Sequence, residues 1–213
     1  MEAIRQYLQL QPWLLRAYLL FLLPTAIAQD ATLDTSPIKS ATIMTTLGNI
    51  EIELYPEQAP ITVANFSRYI KAGAYNKGRF YRVVRFDNDN GSPKIQVIQG
   101  GAATNFTDFE PIPLENTEAT KVRHLDGVLS MARGTPNSAT SEFFICVGAQ
   151  PSLDFGGSRN PDGLGFAAFG RVTLGMDIVK AILNITDTLA VEDEYVKDQM
   201  LTQPISITQI VTK

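Results

Sequence analysis

The sequence holds one cysteine, one histidine and no long basic run, and each scarcity removes a class of function. The single cysteine, Cys146, cannot form an intramolecular disulfide, and its place in the apolar run Phe143–Val147 points to a small buried side chain rather than a nucleophile. The single histidine, His124, cannot build a histidine-rich metal site, and no carboxylate or thiol cluster stands beside it in sequence, so no metal and no cofactor is expected. With no serine or cysteine nucleophile pattern around it, His124 reads as a surface or hydrogen-bonded structural residue. A net charge of −4 without a basic run argues against nucleic acid or anionic lipid as a partner.

An apolar segment long enough for a comfortable membrane span, roughly 20 residues, is also missing. The stretch Ala17–Ala28 is shorter, follows Arg5 and Arg16, and turns polar at Gln29 and Asp30. It ends in Ala26-Ile27-Ala28, the small-x-small pattern read by a signal peptidase. The expected organisation is a signal peptide over 1–28 cleaved after Ala28, a flexible polar lead over 29–39, and one folded domain over 40–213. The alternative, an anchor extended back through Leu14 and Leu15, is disfavoured by Arg16 and Pro24, so no stable membrane insertion is expected after cleavage.

The remaining chain has the size and the apolar-to-charged mix of one packed domain. Ala41–Leu54 alternates around Leu47-Gly48-Asn49, predicting a hairpin with Ile50, Ile52 and Leu54 on one face. After Pro56 and Pro60, residues 61–73 carry Val63, Phe66, Tyr69 and Ile70 at helical spacing and end at Gly73. Phe80–Val84 reads as a strand in which Arg82, by alternation alone, is an outward arginine on a half-exposed surface. The polar, turn-rich residues 85–96 that follow read as a surface loop. Residues 102–123 read as a loop without evident chemistry. In Gly127–Val147 two apolar strands flank a polar loop containing Pro136, and alternation sends Phe143 and Phe144 to opposite faces. Asp177 is a candidate cap for a helix bearing Ile178, Val179, Ile182 and Leu183, and Pro204–Val211 alternates like a strand that should pair with the first.

Ser130-Met131-Ala132, the Gly134-to-Ser138 loop and Ser141-x-Phe143-Phe144-Ile145 together resemble the central signature of the cyclophilin family of peptidyl-prolyl isomerases. Phe80-Tyr81-Arg82-Val83-Val84 is similar to the family's F-H-R-V-I, and Val97-Ile98-Gln99-Gly100-Gly101 to its F-M-x-Q-G-G. Phe169-Gly170-x-Val172 through Gly175-Met176-Asp177-x-Val179 is similar to its F-G-x-V-x-x-G-M-D-x-V. The matches are colinear over almost all of 40–213. The resemblance implies a mainly β fold, a closed eight-stranded antiparallel β-barrel capped by two α-helices, and isomerisation of X-Pro bonds during folding of exported proteins.

By the same resemblance Arg82 is the catalytic residue and Gln99 the groove glutamine. Val97 replaces the groove methionine, and Ala132 and Arg133 match the strand edge along which substrates lie. Phe144 and Leu153 match pocket residues, and Phe166 falls where many members have histidine. Other departures are Tyr81 for histidine, Gln96 for the pocket phenylalanine, Glu142 for glutamine and Ser152 for tryptophan. Gln96 weakens one pocket wall unless Phe86 folds back to replace it. Phe166, Ser152 and the insertion 155–165 resemble bacterial members, so the expected location is the bacterial periplasm, with a eukaryotic secretory lumen as the alternative. The expected partners are proline-containing peptides and unfolded exported proteins, bound by a monomer. A noncatalytic peptide-binding chaperone on the same fold is the second reading. A secreted adhesive barrel is weaker, because nothing in it calls for Arg82, Gln99 and Phe144 together.

Overall fold

The computed structural model describes residues 37–213. The expected signal peptide, its cleavage site after Ala28 and most of the polar lead lie outside these residues. Eight antiparallel strands close into a barrel: β1 (Ser40–Thr45), β2 (Gly48–Leu54), β3 (Gly78–Val84), β4 (Val97–Gly101), β5 (Val128–Met131), β6 (Phe143–Cys146), β7 (Ala167–Leu174) and β8 (Met200–Thr212). Around the barrel the order is β1-β2-β7-β5-β6-β4-β3-β8, so β8 pairs with β1 on one side and β3 on the other and leaves no open edge. The last strand therefore closes the barrel as its alternation predicts, beginning earlier, at Met200.

Inward positions follow the period of two. Ile43, Ile50, Ile52, Phe80, Ile98, Phe143, Ile145 and Phe169 are all buried within one apolar cluster. Helix α1 (Pro60–Lys71) adds Val63, Phe66 and Tyr69 to that cluster. Phe66 meets Phe143 edge-on at 5.5 Å and Phe169 at 5.1 Å. Proline opens α1 where its missing N–H costs nothing. Residue 59 gives no side-chain cap, and Glu115 supplies one from 54 residues away by accepting from the Ile61 and Thr62 amides. The stretch 102–123 is thus not a bare connector. It also contains a short helix, α2 (Thr117–Thr120).

Helix α3 (Met176–Leu183) buries Val179, Ile182 and Leu183. Asp177 does not cap it: the N-cap is Gly175, at φ 93°, and Asp177 lies in the first turn without a capping hydrogen bond. Glycine is required there because a Cβ would sit 2.4 Å from the Asn49 carbonyl oxygen. The segment 85–96 is also not simply a surface loop. Asn88, Asp89 and Ile95 are buried, and Asp89 accepts from the Gly91 and Ile95 amides while pairing with Arg159 at 2.8 Å.

Candidate active site

Strand β3 carries Arg82 on an irregularity. Phe80 pairs with Gly100 and Arg82 with Gln99, so Tyr81 is an extra residue between two successive pairs. The same shift occurs against β8. Phe80 faces the barrel interior, the bulge turns Tyr81 and Arg82 to the outer face together, and Val83 returns to the core. Register then aligns Ser130, Phe144, Gln99 and Arg82 as successive partners across β5, β6, β4 and β3. A second row holds Cys146, Val97 and Val84. Motifs far apart in sequence meet because they share these rows.

The result is a cavity of about 140 Å³ on the outside of the barrel wall. Arg82, Val97, Gln99, Ala132, Arg133, Phe144, Leu153 and Phe166 all line it, together with Val84, Ile95, Arg159 and Tyr195. Its apolar floor is a cluster separate from the barrel interior, formed by Val84, Ile95, Val97, Phe144, Cys146 and Leu153 with Phe166 against it. Phe143 and Phe144 do divide between interior and cavity, as alternation predicts. Phe86 does not fold back into the cavity: it is 52% exposed, and Ile95 and Val84 supply apolar wall instead. Burial pushes the Cys146 thiol well up, which keeps it protonated and inert.

Arg82 is held by uncharged groups. Its Nε and Nη2 donate to Gln199 Oε1 at 2.9 and 2.7 Å, and its Nη1 donates to Gln99 Oε1 at 3.0 Å. Three of the five guanidinium N–H groups are thereby used, leaving two for a ligand. Gln199 is fully buried and donates to the Asn88 carbonyl at 2.8 Å, so it cannot swing away from the arginine. Sequence reasoning missed Gln199, which stands 117 residues from Arg82 and just before β8. Arg133, by contrast, is a structural side chain. It donates to both Asp162 oxygens at 2.7 and 2.9 Å and to the Gly165 carbonyl, and its Cζ lies 5.1 Å from the Phe166 ring centroid. The Arg133 hydrogen bond holds the Asp162 carboxyl below its ordinary range. What Arg133 can offer a peptide is its main chain.

His124 is the hydrogen-bonded structural residue rather than a surface one. It is 1% exposed, with Nδ1 2.8 Å from Asp154 Oδ1, Nε2 2.9 Å from Ser130 Oγ, and its ring stacked 6.0 Å from Phe144. The Asp-His-Ser chain has the composition of a hydrolase triad, but Ser130 is completely buried and does not line the cavity, so it braces the pocket wall. Burial pushes the Asp154 carboxyl up, yet hydrogen bonds from the His124 ring and amide outweigh it and hold the group below its ordinary range. Among the described residues no three metal-ligating side chains converge.

The family model described as cyclophilin type peptidyl-prolyl cis-trans isomerase matches residues 40–212. This chain belongs to that family. A peptidyl-prolyl cis-trans isomerase of Acinetobacter baylyi is 37% identical over 172 residues, covering 79% of this chain and 82% of the relative. Peptidyl-prolyl cis-trans isomerase B of Escherichia coli is 32% identical over 178 residues, covering 79% and 99%. A cyclophilin type isomerase crystal structure from Cryptosporidium parvum shares the fold with a TM-score of 0.61 at 22% identity, covering 83% of this chain and 98% of that one. A second structure of that protein was determined in the presence of the dipeptide Ala-Pro.

Two departures from the cyclophilin motifs prove to be one. Tyr81 and Glu142 face each other: the tyrosine hydroxyl donates to Glu142 Oε2, and Gln99 Nε2 donates to both, at 2.8 and 2.9 Å. Burial and the neighbouring Glu142 charge push the Tyr81 phenol well up, keeping it a donor. With Nε2 so occupied, Gln99 must turn its oxygen toward Arg82. The pair fixes the orientation of the Gln99 amide.

Proposed function

We propose that the protein accelerates cis–trans rotation about X-Pro bonds in exported proteins, with Arg82 acting on the twisting amide. The observation that carries this is an arginine with two unused donors beside a cavity of about 140 Å³ with an apolar floor. Rotation costs about 18–20 kcal/mol because amide resonance is lost. As resonance breaks, the proline nitrogen gains a lone pair that the ground state lacks, so a hydrogen bond from Arg82 strengthens in the transition state. Val97, Phe144, Leu153 and Phe166 take the proline ring, while Gln99 and the main chain at Ala132 and Arg133 hold the flanking peptide. No nucleophile, metal or proton transfer enters this chemistry.

Proline-containing peptides as ligands are supported by family membership and by the Ala-Pro dipeptide used with the Cryptosporidium parvum relative. A noncatalytic chaperone is not favoured, since the curated relatives carry isomerase names. Export to the periplasm is supported by the Ala17–Ala28 pattern, and mass spectrometry of native protein should find a chain starting at Gln29. The central test is a protease-coupled isomerisation assay on the purified protein. Arg82→Ala should lose about 100- to 1,000-fold in rate, with the fold retained and the thermal midpoint lowered only by the loss of the partner to buried Gln199. Near-normal turnover would move the assignment to peptide binding without catalysis.

A further inference from the structure

We propose that Tyr195 is a substrate-contacting residue that extends the groove beyond the proline pocket and favours a large apolar or aromatic side chain on the residue following the proline. This rests on the isomerase reading above. Tyr195 lies in the segment between α3 and β8 and lines the same cavity as Arg82, Ile95 and Val97. Its ring centroid is 5.3 Å from the Arg82 Cζ.

The ring is fastened in place. Arg159 Nη2 donates to the Tyr195 hydroxyl at 3.2 Å, and the Arg159 guanidinium lies 5.6 Å from the ring centroid. Arg159 is itself 8% exposed, forms a bidentate pair with Asp89 at 2.8 Å through each nitrogen, and donates to the Pro93 carbonyl. The loop 85–96, through Asp89, and the insertion 155–165, through Arg159, are thus locked together behind one tyrosine. A buried ion pair is a poor source of net stability but a strict setter of geometry. Here the geometry it sets is the position of a ring that stays 49% exposed at the cavity rim.

Barrel order sets Tyr195 across the cavity from the β5 edge. The Ala132–Arg133 edge follows β5, whereas Arg82 and Tyr195 stand across β6 and β4, beside β3 and the start of β8. In the proposed pose the peptide lies along the β5 edge with its proline on Phe144 and its next residue turned toward Tyr195. An aromatic ring beside Ile95 and Val84 rewards apolar area. The Arg82 and Arg159 guanidinium groups disfavour a basic side chain at the same place.

The test compares two peptides, Ala-Ala-Pro-Phe and Ala-Ala-Pro-Gly, by NMR exchange on the full protein and on Tyr195→Ala and Tyr195→Phe. The wild type should prefer Pro-Phe, and Tyr195→Ala should lower the Pro-Phe over Pro-Gly ratio of kcat/KM by roughly 5- to 20-fold, mainly through KM. Tyr195→Phe, which keeps the ring, should retain most of the preference. An unchanged ratio in Tyr195→Ala, whether both rates fall together or neither falls, overturns the proposal. A wild-type protein that accelerates neither peptide fails the isomerase reading itself.

Discussion

The two faces of strands β4 and β6 behave as different materials. Inside the barrel, Ile98, Phe143 and Ile145 join a large cluster of apolar side chains and helix-borne aromatics. Outside, Val97, Phe144 and Cys146 form a thin apolar floor rimmed by arginine, glutamine and tyrosine. The inner face is closed and holds the shape; the outer face is left open, and its Arg82 is held by two uncharged glutamines. The comparison teaches that adjacent residues on one strand can be separated into stability and chemistry.

The sharpest separation should come from Phe143 and its neighbour. Phe143→Ala removes the ring that meets Phe66, Tyr75 and Phe80, and should cost about 3–5 kcal/mol of stability. Chemical denaturation measures it, and a loss below about 1 kcal/mol would mean the interior is not the main support. On the outer face Arg82→Lys should lose nearly as much turnover as Arg82→Ala, on the order of 100-fold, because a point ammonium cannot replace the planar fork. Its unfolding midpoint should fall far less than that of Phe143→Ala; a comparable shift would blur the two faces.

Gln199→Ala tests positioning. Freed from the oxygen that accepts two of its bonds, Arg82 should lose orientation, lowering kcat by roughly 10-fold with little change in KM. A change confined to KM would make Gln199 a substrate contact instead. The smallest effect concerns the brace beneath Phe144. The Asp154 carboxyl is held below its unfolded value, so its contribution to stability is fully present above about pH 4 and is lost as pH falls through the folded value. Asp154→Asn should melt a few degrees below the wild type near neutral pH, with the gap closing under acid. A gap that widens below pH 4 would contradict the sign.

The sequence by itself determined the barrel's alternating strands, the two core helices, the burial of Cys146 and the division of Phe143 from Phe144, because each follows from a local period. It also pointed, through resemblance, to eight residues that the fold brings around one cavity. Only tertiary structure decided how Arg82 reaches that cavity, since a one-residue bulge at Tyr81 leaves no compositional mark. It alone joined Tyr81 to Glu142, Gln199 to Arg82, and Asp89 to Arg159, contacts spanning 61, 117 and 70 residues. Long-range polar pairing depends on strand register and loop path, and neither is encoded in the local spacing of residues.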